Sequence, residues 1–239
     1  SLSSRSDRSA STMLAVLEDR DIEHGPLECL FTVDEETGLT GAASLQPDYV
    51  ASRTLLNLDS EEEGALYVGC AGGKDTTGTW KADVQPITGI AAELHVKGLR
   101  GGHSGLDIHK GRGNAIKILD RLLLRLADLG GRVSSIEGGN KRNAIPREAH
   151  AVVFLPKSRV KKAQKLMSQL ELTLQAEVST VDPDLSIELK VLGEQSGQVL
   201  KRTLQKRILQ TISGLPHGVI KMSAEIPELV ETSTNVAVV

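Results

Sequence analysis

Leu27-Glu28-Cys29-Leu30-Phe31-Thr32-Val33-Asp34-Glu35-Glu36 is the stretch on which the fold turns. Leu27 to Val33 is a short apolar run that reads as a buried strand, and three acids follow it without a spacer. The pattern recurs. Arg53 to Leu58 (RTLLNL) reads as a second strand ending on Asp59, and Ala65 to Cys70 reads as a third. Residues 12–20 (TMLAVLEDR) read as the end of an amphipathic helix that Gly25-Pro26 breaks, and Gly38 to Leu45 looks helical or turn-like. Strands alternating with helices predict an α/β sheet. Ligand sites in such sheets gather at the carboxyl ends of strands. Asp34-Glu35-Glu36 alone reads as a solvated acidic turn rather than a site. Asp59 at a second strand end brings the two readings level.

Adjacent glutamates suit metal-assisted hydrolysis for a geometric reason. Neighbouring side chains leave extended backbone in different directions. One can bind a metal while the other takes the proton of the attacking water. Carboxylates suit hard or borderline divalent cations, zinc among them. Glu61, Glu62 and Glu63 read as a solvated loop face.

Composition limits the alternatives. The chain has 239 residues, 39% hydrophobic and 25% charged, with net charge −3. Such a balance gives no basic footprint for nucleic acid. Only five aromatics occur, which disfavours base stacking. No apolar run reaches the roughly 18 residues that span a membrane. The N-terminus (SLSSRSDRS) lacks an apolar signal core, so a cytoplasmic location is expected. Cys29 and Cys70 form no CxxC and sit in strand-like contexts, so both are expected as buried thiols.

A composition shift over residues 72–90, polar with Gly, Thr and Pro, marks the expected domain boundary. Beyond it, Ile90 to Val96 alternates like a half-buried strand, and Asn114 to Leu129 is the strongest amphipathic helix. Strand signals recur at Ala149–Leu155 and Ile187–Leu192, helix signals at Val160–Val178 and Gln198–Ser213, and Glu228 to Val239 turns strand-like.

Residues 98–113 hold six glycines around His103. The stretch lacks both Gly-Lys-Ser/Thr and GxGxxG, so nucleotide binding is disfavoured. Glycines let backbone and imidazole approach a ligand closely, which singles out His103. The bland alternative is a loop histidine without a role. His24, His95, His109, His150 and His217 are scattered and read as structural or exposed. Ser104 has no GxSxG context. In Asn143-Ala144-Ile145-Pro146-Arg147-Glu148, Asn143 and Arg147 can contact a substrate carbonyl or carboxylate. A turn before a strand is the competing reading.

Taken in order, HGPLECLFTVDEETGLTGA, LLNLDSEEEG, YVGCAGG, KGLRGGHSG, GNA, RNAIPRE and VETSTNV resemble the aminoacyl-histidine (Xaa-His) dipeptidases, two-metal peptidases related to aminoacylases and carnosinases. The resemblance runs from about Ser11 to Val239. It implies a partial α/β zinc-peptidase catalytic domain over 1–86, with residues 1–10 atypical, and part of an α+β lid domain over 87–239. It implies Glu35 as general base, Glu36 and Asp59 as ligands of separate metals, and His103 as the lid histidine that polarises the scissile carbonyl. Asn143 and Arg147 would bind substrate. Two zinc ions per intact site are implied, with manganese or cobalt as substitutes, a small peptide as substrate, and a homodimer through the lid.

The chain departs from the family pattern. Arg5 aligns where the metal-bridging aspartate is expected, with Asp7 two residues away. The His-x-Asp motif and the last histidine ligand have no counterpart in the sequence. The carboxylates are therefore expected to form about half of a site, with little activity from this chain alone. The competing readings are a non-catalytic assembly module and a related N-acyl amino acid amidohydrolase.

Overall fold

The computed structural model describes residues 3–34, 39–58 and 64–239. They fall into two compact units, Ser1–Ala71 and Gly72–Val239.

In the first unit, helix α1 spans Ser3–Glu18 and a single helical turn, α2, spans Thr40–Ala43. Leu39 enters that turn with φ of 58°, a left-handed conformation. The turn packs closely under Val33: a Cβ on Gly41 would sit 2.7 Å from the Val33 backbone. The expected strands at Leu27–Val33, Arg53–Leu58 and Ala65–Cys70 do not form among the described residues. A strand of a parallel sheet takes its ladder from segments far away in sequence. The described residues of this unit offer these segments no such ladder. Leu27, Phe31, Leu55, Leu56 and Val68 are consequently exposed. The cysteines correct a second expectation: Cys29 and Cys70 are both exposed, because no sheet covers the segments that carry them.

The second unit supplies its own partners. Strands β1 (Val84–Lys97), β3 (Arg132–Gly138), β5 (Ala149–Leu155) and β6 (Ser186–Leu200) form a sheet in the order β3-β5-β1-β6. Every pairing is antiparallel. A two-residue ribbon joins β2 (Gly102–His103) to β4 (Ala144–Ile145), and a hairpin-like pair joins β7 (Gly218–Met222) to β8 (Val230–Thr234). Helices α3 (Ala115–Asp128), α4 (Val160–Val178) and α5 (Arg202–Gly214) complete the unit. The unit is thus α+β, the architecture that the resemblance implied for residues 87–239.

Alternation along the strands builds the core. Ala92, Leu94 and Val96 of β1 and Ala151, Val153 and Leu155 of β5 face Leu119, Leu122, Leu123 and Leu126 of α3, and all are buried in one cluster with Met167, Leu174 and Leu209. Each fully buried leucine contributes on the order of 1.5–3 kcal/mol. Asn114 caps α3, its side-chain oxygen accepting from the amides of Ile116 and Lys117 at 3.0 and 3.2 Å. The Lys117 ammonium donates to the carbonyls of Ile212, Ser213 and Leu215 at 2.6–2.8 Å, which ties α3 to the end of α5. Buried Gln205 of α5 accepts from Val133 N at 3.0 Å and donates to Gly131 O at 3.2 Å.

The other sheet face joins a polar row to a small buried apolar cluster of Ala91, Phe154 and Val199. Glu137, His150, His95 and Glu188 lie in register across all four strands, and the two imidazoles stack with centroids 5.5 Å apart. Strand β6 runs past the expected end at Leu192 to Leu200. Its second half, poor in apolar alternation, pairs with the first half of β1 through a bulge at Ala91/Ala92.

Candidate active site

The glycine-rich segment leaves β1 and returns to the start of α3. One buried carboxylate fixes both of its ends. Asp182 accepts from Arg100 N at 2.8 Å and from Gly113 N at 2.6 Å. Inside the loop, the Arg112 guanidinium donates to Gly101 O. Asp107 accepts from His103 N and donates its own amide to His103 O, both at 2.8 Å. Lys110 reaches the other carboxylate oxygen of Asp107 at 2.6 Å. The hydrogen bond from Lys110, then that from His103 N, pulls the Asp107 carboxyl down to about 2.

Two glycines keep this turn tight, Gly102 through its backbone conformation and Gly105 through the space it leaves. Gly102 has φ of 145°, and a Cβ on it would lie 2.5 Å from Arg112 Nη1 and 2.7 Å from Asp107 Oδ2. A Cβ on Gly105 would lie 3.2 Å from the His103 ring. The imidazole therefore folds over its own turn, and its Nδ1 accepts from Gly105 N and Leu106 N at 3.1 and 3.2 Å. The ring is otherwise exposed.

The ribbon places the other lid candidates beside this loop. His103 pairs with Ala144, and Ser104 N donates to Asn143 O at 2.8 Å. Arg147 packs against Gly101, where an added Cβ would meet the Arg147 Cβ at 3.1 Å. The structure thus gathers the segments of His103, Asn143 and Arg147 around one ribbon, with Asn143 and Arg147 exposed. Asn235 braces the ribbon from the C-terminal segment by donating to Ala144 O at 2.7 Å. Asn114 also donates to Val236 O at 2.8 Å and lies 3.2 Å from His217 Nδ1. Burial holds the His217 imidazole below its ordinary value. Glu35, Glu36 and Asp59 lie outside the described residues.

Sequence reading missed Asp107, Arg112 and Asp182. The only available signal was the spacing of Asp107, four residues after His103. A cavity of about 480 Å³ is lined by Arg112, Asn114, Lys117, Arg121, Glu177 and His217. Its Lys117 is committed to backbone carbonyls and its Arg121 to Glu177, with N–O distances of 2.6 and 2.9 Å. Among the described residues, no group of three or more His, Cys, Asp and Glu could hold a metal ion. No described helix is long and apolar enough to cross a membrane.

The antiparallel sheet, its helices and the side ribbon with the histidine loop can be set beside known proteins. Residues 94–181 match the peptidase dimerisation domain of the M20 type. The chain is also 38% identical, over 232 residues, to the cytosol non-specific dipeptidase of Escherichia coli (strain K12), covering 96% of this chain and 48% of that protein. The crystal structure of aminoacylhistidine dipeptidase from Vibrio alginolyticus matches with a TM-score of 0.75 at 37% identity, covering 96% of this chain and 47% of that one. The resemblance to aminoacyl-histidine dipeptidases read from the sequence is borne out. The chain spans about half the length of the relatives it matches.

Proposed function

We propose that this chain is part of a metal-dependent dipeptidase whose intact form hydrolyses short peptides, Xaa-His dipeptides above all. The observation that carries the reading is similarity across 96% of the chain to two dipeptidases. Residues 1–86 would then belong to the catalytic domain and 87–239 to the lid.

In this reading Glu35 takes a proton from the attacking water, whose oxygen adds to the scissile carbonyl carbon. His103 donates a hydrogen bond to the oxyanion that forms. The tetrahedral species then collapses, the C–N bond breaks, and the proton held by Glu35 passes to the leaving amine. Asn143 and Arg147 hold the substrate carboxylate or carbonyl, Arg147 through paired N–H donors.

Glu36 and Asp59 would hold the divalent cations, zinc first, with manganese or cobalt as substitutes. The donors fit in kind, since carboxylate oxygens suit these ions. They fall short in number, because a zinc site takes about four ligands, and the described residues add no further cluster. When bound, such an ion lowers the pKa of its water.

Residues 11–239 substituted for the matching half of the Escherichia coli dipeptidase test the reading. The chimera is expected to hydrolyse Xaa-His peptides with zinc, and His103→Ala to lower kcat about 10²–10³-fold. A folded, metal-loaded chimera without hydrolysis overturns the proposal. The 239-residue chain alone is expected to bind zinc weakly and turn over little. Robust zinc-dependent cleavage of β-alanyl-histidine by it would refute the half-site arrangement.

The dimerisation-domain match favours a second role beside the first, in which the lid joins two copies of the chain. Sedimentation decides this, since a monomer at every concentration argues against it. A cytosolic location is proposed from the name of the Escherichia coli relative.

A further inference from the structure

We propose that the turn Gly101–Asp107 locks the His103 imidazole in its Nε2–H tautomer, and that Asp107 is the positioning residue that holds the turn in that form. The first half follows from donor chemistry. A backbone N–H can only donate. Gly105 N and Leu106 N both point at Nδ1, at 3.1 and 3.2 Å, so Nδ1 offers its lone pair and carries no proton. The ring proton of the neutral imidazole is then on Nε2, at the exposed side of the ring.

The second half follows from where the Asp107 carboxylate goes. Asp107 stands directly before the 3₁₀ turn Ile108–Lys110 but makes no side-chain cap to it. Its Oδ2 turns back to His103 N instead, and its amide meets His103 O, which closes the turn at both ends. Lys110 at 2.6 Å and Arg112 at 3.8 Å flank the carboxylate and balance its charge. Asp107 is therefore committed to the turn. Without the carboxylate, the amides of Gly105 and Leu106 lose the frame that aims them at Nδ1. The ring is then free to rotate and exchange tautomers.

The consequence for chemistry rests on the dipeptidase reading, in which an Nε2–H donor would face the developing oxyanion. The tautomer itself is a property of the 239-residue chain and needs no turnover. It is read from two-bond and three-bond ¹H–¹⁵N correlations of the labelled chain at about pH 8, above the ordinary imidazole range. The His103 signal is assigned by its loss in His103→Gln. The wild type is expected to show an unprotonated, hydrogen-bonded Nδ1 and a protonated Nε2. Asp107→Ala is expected to move both nitrogens toward the tautomer-averaged shifts of a free imidazole. Asp107→Asn, whose amide oxygen still accepts from His103 N, is expected to restore part of the wild-type pattern. A protonated Nδ1 in the wild type overturns the proposal, even if Asp107→Ala fails to fold. An unchanged His103 pattern in a folded Asp107→Ala overturns the role of Asp107. In the chimera, Asp107→Ala should lower kcat about tenfold or more with KM little changed. An inert wild-type chimera would count against the dipeptidase reading and leave the tautomer measurement to decide this one.

Discussion

Leu27–Val33 (LECLFTV) and Ala149–Leu155 (AHAVVFL) are segments of equal length and similar apolar content in opposite surroundings. In the first, Phe31 and Val33 are 61% and 73% exposed, and no ladder forms. In the second, Ala151 and Val153 are 0% and 1% exposed, with β3 on one side and β1 on the other. Composition does not separate them. The antiparallel partners of β5 lie within its own unit, and the helices between those strands cover one face. A parallel strand depends on neighbours delivered by crossovers. Apolar sequence sets what can be buried, and strand partners decide whether it is.

The sharpest way to break this contrast is a matched pair of truncations. Leu122→Ala, in the packed helix layer, should cost about 2–5 kcal/mol in urea unfolding. Leu56→Ala, at a side chain 76% exposed, should change stability by less than about 0.5 kcal/mol. Equal effects would mean that the first unit has a core of its own.

Loss of the loop clamp comes next. Asp182→Ala leaves Arg100 N and Gly113 N without their acceptor and should cost about 1.5–3 kcal/mol, with Asp182→Asn recovering part. A loss confined to local mobility, with the unfolding midpoint unmoved, would detach the loop from the core.

The third test uses pH. Burial pushes the Asp120 carboxyl from 3.8 up to about 7, against the pull of Lys117, and its Oδ1 has no hydrogen-bond partner among the described residues. The folded chain thus holds a proton that the unfolded chain releases between pH 3.8 and about 7. Stability falls as pH rises through that window and levels off above it, by at most about 4 kcal/mol. Asp120→Asn should flatten the slope, and a slope that persists would assign it elsewhere. The smallest effect belongs to the exposed pair Arg121–Glu177. A double-mutant cycle there should return about 0.2–1 kcal/mol, fading with salt.

These contrasts also explain what the sequence made legible. The strand at Ala149–Leu155 and the helix at Val160–Val178 appear with the bounds read from periodicity alone, because a half-buried strand and an amphipathic helix declare themselves locally. The second half of β6, GEQSGQVL, carries no such alternation. Its pairing with β1 is a long-range fact. His103 stood out as an imidazole among glycines, but the carboxylate that pins its loop did not. Asp182 lies 82 and 69 positions from the amides it accepts, a relation no local pattern encodes. The strands expected before Ala71 failed for the converse reason, since their apolar runs were legible and the ladder they need was not.

The Asp182 clamp has a consequence in the language of opening and exchange. Loops that fray independently let their amides exchange with solvent at little cost, while core elements exchange only on large-scale unfolding. Here both ends of the loop are bonded to one fully buried side chain in the turn after α4. The amides of His103, Gly105 and Leu106 should therefore exchange with the protection of the sheet and helices around them. An exposed histidine would then share the cooperative unit of the core beneath it.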